Sequence, residues 1–482
     1  MKLFPIRGGI HPAYRKQATA EKAIVALLPL PARLYLPLQQ HMGAAAEALV
    51  QPGDRVKKGQ LLGRGVGPVS AAVHAPTSGR IAQVAELTAP HPSGLPQLTI
   101  VLEPDGQDEW AELAPPIADP FAADPKAIKE RVAQAGIVGM GGATFPSSVK
   151  LDLGTRLKLE ILLLNGAECE PYLTCDDRVM REHPSEVIDG ARIMAHALGA
   201  PRIVIAIERN KPQALDAMRL AASAFPAIEV VDVPVQYPMG SERHLTQAIT
   251  GQETPARKLT ADLGVVVHNV ATARAVHHAV RFGRPLLSRV VTVSGGAVKE
   301  PKNVEAPLGT PVADLIDFCG GLSETPKRLV SGGPMMGQPL PSSEVPVVKG
   351  TSGILALTTA EANERPTQPC IRCGTCVTIC PCGLVPVEMA AHIRKDDLDG
   401  AAAWGVMDCV SCGSCSYICP SYIPLVHYFN YAKGRITAQD RERRKQDEVK
   451  RLAEARAARL EKQAQAKREA AARKAQAESP AP

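Results

Sequence analysis

Cys370, Cys373, Cys376 and Cys380 are followed directly by Pro381, and the same Cys-x-x-Cys-x-x-Cys-x-x-x-Cys-Pro spacing returns as Cys409, Cys412, Cys415, Cys419 and Pro420. Thiolates spaced in this way suit a [4Fe-4S] cubane: three on one tight loop cover one face, and a distant fourth closes the other. In two-cluster runs of this kind the fourth cysteine serves the partner cluster. The pattern therefore assigns Cys370, Cys373, Cys376 and Cys419 to one cluster, and Cys409, Cys412, Cys415 and Cys380 to a second. Four-cysteine zinc sites also use Cys-x-x-Cys pairs. They usually draw two ligands from each of two separated knuckles, whereas here a run of four cysteines and a proline recurs complete. Gly374 and Gly413 hold equivalent places, where a chain folding tightly round a cluster benefits from lacking a Cβ. Cys382 has no counterpart in the second run and is left out of both ligand sets.

The elements that position these thiols belong to a long chain. Its 482 residues are enough for several domains with sizeable cores. No apolar stretch approaches the 18 to 20 residues of a membrane-spanning helix, and the N-terminus lacks a basic-then-apolar signal region. Eight of the 12 cysteines fall in the two runs, and cluster ligation requires reduced thiols, so disulfides are not expected and a reducing compartment is. Cys169, Cys175 and Cys319 read as free thiols. The formal charge of +6 does not indicate nucleic-acid binding, because from Asp440 onward 13 Lys/Arg face 8 Asp/Glu and the surplus sits almost wholly on the tail.

From about Ile24 to Leu102 short Val/Leu/Ile runs alternate with Gly and Pro, the mark of strands and turns. Val50 to Gly63 and Ala75 to Ile81 look like the barrel-sandwich fold of biotinyl and lipoyl carrier domains. Carriers present a lysine at a hairpin tip, but Val73-His-Ala-Pro76 has none, so the expectation is the fold without the prosthetic group and with a structural or docking role. Beyond a Pro-rich link near Ala114 to Pro125 come apolar runs at 161–164, 203–207, 230–233 and 264–267. Helical stretches at 185–198 and 212–224 separate them, which predicts a mostly parallel α/β layer buried on both faces. Ligands in such sheets collect at the carboxyl ends of strands. Four features fall there: the glycine-rich 139–150 loop, 165–171 with two carboxylates, 237–242 and 268–272. Taken singly, the first reads equally as a turn and the second as a solvated acidic loop.

Together these four features resemble the flavin and NADH site of the flavoprotein subunit of respiratory complex I. The chain from barrel to twin cysteine runs resembles the RnfC family, the C component of Rnf/Rsx electron-transport complexes. That resemblance implies that Gly139, Gly141, Lys150, Asn165, Glu168, Tyr237, Gly240, Asn269 and Thr272 hold FMN, and that Gly142, Ala143, Phe145, Glu170 and Glu242 hold NADH. No side chain acts as acid or base, since hydride passes directly between stacked rings. Thr144, Ala167, Ser241 and His268 depart from the complex I pattern, which has glycine, aspartate, glutamate and asparagine there. Residues 290–322 resemble the soluble-ligand-binding β-grasp domain beside the complex I flavin domain, read here as a spacer seating the cluster domain; the 331–337 loop receives no role. The tail is helical in propensity with too few large apolar residues for a core, and its charge suits weak contact with anionic lipid headgroups.

The expected fold is multidomain α+β. It comprises a barrel-sandwich (lipoyl-like) domain over 1–115, an α/β FMN/NADH-binding domain over 125–285 and a β-grasp domain over 286–350. A two-cluster ferredoxin-like helical domain follows over 360–432, then a charged helical or disordered tail over 437–482. The family implies a peripheral, NADH-linked subunit of an ion-translocating oxidoreductase on the cytoplasmic side of the cell inner membrane. Its expected partners are integral membrane subunits and an iron-sulfur subunit, with no nucleic acid. The Rsx branch of the family also keeps a redox-sensing transcription factor reduced. Two other readings are open: a cluster-bearing relay or docking scaffold that does not oxidise NADH, and a soluble corrinoid reductase built from similar modules.

Overall fold

The computed structural model describes residues 1–26 and 28–477; the end of the expected tail, 478–482, lies outside the described residues. Two compact units divide the chain: Met1–Gly383 with Cys412–Ile423, and Leu384–Ser411 with Pro424–Pro482.

In the first unit the N-terminal strands form two small sheets. One pairs Leu34–Pro37, Pro96–Pro104, Gly79–Thr88 and Arg55–Val56 in antiparallel order, and the other joins Glu47–Ala48, Leu61–Arg64 and Val73–His74. Gly79 is required at a crossing: a Cβ there would lie 2.1 Å from the Glu103 carbonyl oxygen. Leu34, Leu36, Leu62, Val73, Ile81, Ile100 and Leu102 are buried in the same continuous core as the α/β layer that follows. The barrel is thus packed into the unit, unlike a carrier domain that swings on a tether. Lys349, fully buried, reinforces the junction by donating to the carbonyls of Ala72 at 2.5 Å, beside the hairpin tip, and Gly136 at 2.7 Å.

The central sheet is fully parallel, in the order Ile228–Val233, Arg202–Glu208, Ile161–Gly166, Val265–Asn269. Leu162 and Leu164 enter one core and Leu163 the other, the two-faced burial that continuous apolar strands require. The helices Pro184–Leu198, Pro212–Ala222 and Val270–Phe282 flank it; two start with proline at the first position and two end at a left-handed glycine, Gly199 and Gly283. Next, Ser288–Ser294 and Lys302–Pro307 pair antiparallel within a five-stranded sheet, followed by the Val312–Phe318 helix.

In the second unit the helices Pro386–Arg394, Leu398–Ala403 and Leu425–Ala477 pack together through their apolar faces, with Met389, Leu398, Ala401 and Phe429 buried. The last helix has 53 residues, a rod of about 80 Å at 1.5 Å per residue. It begins a dozen residues before the expected tail and runs into it unbroken, because Gly434 is the sole helix breaker in its span and has open space around it. No helix among the described residues is long and apolar enough to cross a membrane.

Candidate functional site

The 139–150 loop follows the Pro125–Gln134 helix, whose start is fixed by the Asp124 side chain accepting from the Lys126 N–H. The loop closes on itself through Gly139 N–H to the Phe145 carbonyl at 2.8 Å, and is tied to the first turn of the Val270–Phe282 helix by Met140 N–H to Thr272 Oγ1 at 2.9 Å. Gly141, Gly142 and Ala143 are exposed and Phe145 part-buried. Gly142 has φ +109° with no atom within 4 Å of where a Cβ would stand, so a ligand can approach the backbone at that point.

The strand ends bring the other candidates to this loop. Asn269 N-caps the Val270–Phe282 helix through the Ala271 N–H at 2.8 Å and donates to Asp176 Oδ2 at 2.6 Å; a Cβ on Gly141 would lie 3.4 Å from the Asn269 Cβ. Asn165 donates to the Gly240 carbonyl at 2.8 Å and accepts from Ala167 N–H. Lys150 donates to Glu242 Oε2 at 2.9 Å and to the Val267 carbonyl at 3.0 Å. The buried His268 ring is held neutral, its pKa lowered by burial and by the Lys150 charge, and its Nε2 has no hydrogen-bond partner among the described residues. A glycine cradle with open space, an adjoining cation and an unpartnered buried ring nitrogen suit an anionic, hydrogen-bonding planar ligand such as FMN.

The two carboxylates of the 165–171 loop are not a solvated acidic pair. Glu168, at φ +47°, accepts from the N–H groups of Asp176 and Asp177 at 2.7 and 3.2 Å and from the Cys175 thiol at 3.4 Å, at the start of the Cys175–Glu182 helix. These bonds account for the closeness of the ligand-type atoms of Glu168, Cys175 and Asp176, all within 4.8 Å of one another. Burial and the Glu168 charge raise the Asp176 pKa. Glu170 accepts from the backbone N–H groups of Met335 and Met336 at 3.0 and 2.8 Å, and burial pushes its pKa up to about 7. It thereby anchors the 331–337 loop, to which the sequence assigns no role.

Two lysines, the buried Lys211 and the part-buried Lys16, neither signalled by motif or spacing, hold the same loop from within. Lys16 donates to the carbonyls of Glu168, Glu170 and Leu173 at 2.8, 2.9 and 2.5 Å, and Lys211 donates to Ala167 at 2.6 Å and to Glu208 Oε2 at 3.1 Å. Lys16 lies about 150 residues from its acceptors, a separation that no local pattern reveals. A separate cavity of ≈ 380 Å³ touches Met140 and Ala271 but is otherwise lined by residues such as Trp110, Arg274 and Arg284. It contains none of the site's carboxylates, and Arg274 is already engaged by Glu186 and Glu305.

The two cysteine runs share one local backbone. Gly374 and Gly413 have φ +76° and +78°, and each opens a four-residue helix, Thr375–Thr378 and Ser414–Tyr417. Arg372 N–H donates to Cys370 Sγ at 3.4 Å, and Ser411 N–H donates to Cys409 Sγ at 3.3 Å. In the first unit the two four-residue helices pack together, which brings cysteines of different runs side by side. The Cys376 pKa is raised by burial and by Cys373, Cys419 and Cys370, while that of Cys412 is raised by burial with Cys380 among its neighbours. Cys409 belongs to the second unit, where the Lys433 ammonium donates to its carbonyl. Converging thiols with N–H donors to sulfur suit iron-sulfur ligation.

Family models match along the chain: the RnfC barrel sandwich hybrid domain over residues 4–107, the Nuo51 FMN-binding domain over 132–278, the SLBB domain over 290–339 and the 4Fe-4S dicluster domain over 363–420. The C component of the ion-translocating oxidoreductase complex of Rhodobacter capsulatus is 57% identical over 91% of this chain and 84% of its own length. The chain belongs to the RnfC family. Its counterpart in the proton-translocating ferredoxin:NAD(+) oxidoreductase complex of Clostridium ljungdahlii is 44% identical over 89% of this chain and 93% of that one. Among solved structures, a chain of an NAD+-reducing [NiFe]-hydrogenase aligns over 67% of this chain and 63% of its own, at 18% identity and TM-score 0.45. This RnfC family member is an electron-transfer subunit of a multi-subunit ion-translocating oxidoreductase, with FMN and iron-sulfur clusters as cofactors and NADH as substrate.

Proposed function

We propose that this RnfC family member takes hydride from NADH at the 139–272 site and passes single electrons through two clusters to membrane partners. The observation that carries the reading is the hydrogen bond from the Tyr237 hydroxyl to the Cys412 carbonyl at 2.7 Å, within a single unit. It joins the region that holds FMN in the related flavoprotein directly to a cysteine loop. FMN, when bound, accepts hydride at N5 and yields its electrons singly. The residues supply position and charge. Gly139, Gly141, Lys150, Asn165, Glu168, Tyr237, Gly240, Asn269 and Thr272 are the proposed flavin holders. Gly142, Ala143, Phe145, Glu170 and Glu242 are the proposed NADH holders. The proposed ligand sets are Cys370, Cys373, Cys376, Cys419 and, on the repeat pattern, Cys409, Cys412, Cys415, Cys380.

We further propose that the chain sits peripherally on the cytoplasmic face of the inner membrane, docked to integral and iron-sulfur subunits. The proposed domain limits are 1–115, 125–285, 286–350, 360–432 and 437–482. A specific observation favours the competing relay reading: Lys150 and Glu242 engage each other, and Glu170 is committed to Met335 and Met336. The two are separated by reconstituting the chain anaerobically, measuring FMN, iron and sulfide, and assaying NADH-driven reduction of an artificial acceptor. Turnover with flavin bound supports the enzyme reading. Full clusters without turnover leave a relay.

A further inference from the structure

Identical ligand spacing is set in opposite surroundings. In the second run Cys412 and Cys415 are buried, and the intervening Ser414 has no exposed surface. In the first run Cys370 and Cys373 are exposed, and Ile371 between them is 69% exposed. The enclosure has identifiable walls: the Tyr237 hydroxyl donates to the Cys412 carbonyl, and a Cβ on Gly413 would stand 2.9 Å from the Met335 carbonyl oxygen. Met335 is in turn fixed by Glu170. A Cβ on the equivalent Gly374 would meet nothing within 4 Å.

The exposed run lies beside a cationic rim. Among the described residues, Arg372 shows no carboxylate partner, and Arg365 donates to the Tyr422 hydroxyl rather than to an acid. Tyr417, on the short helix leading to Cys419, is 53% exposed. Exposed apolar groups rimmed by one sign of charge mark an interaction surface.

We infer that the two ligand sets are not interchangeable. The set containing Cys380, Cys412 and Cys415 is the flavin-side one, and the face formed by Cys370, Ile371, Arg372, Cys373 and Tyr417 receives a protein partner. That partner carries its own one-electron centre within an acidic rim. Each hand-over at this face moves one electron and no proton: the exposed cluster is oxidised by one electron and the partner's centre is reduced by one. The inference rests on the electron-transfer reading above and adds direction and a docking surface to it.

The test uses the full reconstituted chain reduced chemically with dithionite, so that it does not depend on NADH oxidation. Paramagnetic resonance of the reduced clusters is recorded with and without a soluble dysprosium chelate, whose effect on relaxation reports solvent proximity. Cys373→Ser and Cys415→Ser identify which signal belongs to which set. The signal altered by Cys373→Ser should be relaxed several-fold more by the chelate than the one altered by Cys415→Ser; equal or reversed effects overturn the assignment. Should either variant lose both clusters, Thr375→Ala and Ser414→Ala serve to mark the signals, since each hydroxyl touches the sulfur of its own run at 3.3 and 3.4 Å. In membranes holding the remaining subunits, Arg372→Glu should slow electron delivery to the complex about tenfold and leave NADH-to-artificial-acceptor turnover unchanged. Undiminished delivery overturns the docking face. Absence of NADH turnover in the wild type would count against the enzyme reading and leave the chelate result standing.

Discussion

The two cysteine runs differ in what surrounds them far more than in themselves. Backbone angles at Gly374 and Gly413 agree within a few degrees, and each run ends in a four-residue helix. Yet one loop is walled by Tyr237 and Met335 and the other faces solvent. Cluster potentials respond to solvent exposure and to hydrogen bonds at the sulfurs. A repeat of identical ligands can therefore supply two centres of different potential without any change in the ligating residues. Two runs of the same spacing and backbone can thus be set apart by tertiary contacts from sequence-distant segments.

The comparison breaks most sharply at the exchanged fourth ligand. Cys419→Ala should remove the cluster held by Cys370, Cys373 and Cys376 and spare the one on the Cys412 loop, read by iron content and resonance spectra. Loss of the enclosed cluster instead would refute the exchange.

Next in size is Glu170→Gln, which above pH 7, where the carboxylate is charged, converts a charged acceptor of two N–H groups into a neutral one. Hydrogen bonds to charged groups are worth about 1.5–3 kcal/mol, so NADH use should weaken by roughly tenfold or more, with cluster content intact. Unchanged NADH kinetics would remove Glu170 from the proposed nucleotide site. Because burial raises the folded-state pKa from 4.5 to about 7, the folded protein retains a proton here that the unfolded chain has lost. Wild-type stability should accordingly fall as pH rises from 4.5 towards 7 and level off above. Chemical denaturation across that range should show the fall in the wild type and not in Glu170→Gln.

How much of this was legible in the sequence depends on the range of the interactions. The four parallel strands, the flanking helices and the strand pair before the Val312–Phe318 helix follow from local apolar periodicity, and the proposed cluster ligand sets rest on the cysteine spacing. The anchoring of the 165–171 loop was not legible, because Lys16 and Lys211 reach its backbone carbonyls, and the Met335–Met336 amides its Glu170 carboxylate, from remote segments. The same holds for Lys349 at the hairpin tip, where carriers supply a lysine of their own and this chain supplies one from about 275 residues downstream. The long C-terminal helix is legible in propensity but not in its start at Leu425, since the run from the last cysteine into the tail carries no stop signal.

A paired substitution sharpens the contrast between the runs. Gly374→Ala and Gly413→Ala each impose a left-handed conformation on a residue with a Cβ, costing about 1–2 kcal/mol. Only the second also meets the Met335 carbonyl. Thermal melts of the two variants should rank Gly413→Ala clearly below Gly374→Ala; equal losses would mean that the enclosing wall yields freely. The smallest effect is expected from Tyr237→Phe. It withdraws one neutral hydrogen bond, about 0.5–1.5 kcal/mol, and should shift the potential of the enclosed cluster while leaving the exposed one unchanged. A shift in both, by redox titration, would contradict local action.

The central claim is that NADH oxidation and cluster reduction are joined within this chain, and anaerobic stopped-flow mixing of the reconstituted protein with NADH tests it most directly. Flavin bleaching should be followed by reduction of both clusters without any added protein, with the enclosed cluster leading. Flavin that bleaches while both clusters stay oxidised, although dithionite reduces them, would contradict the account.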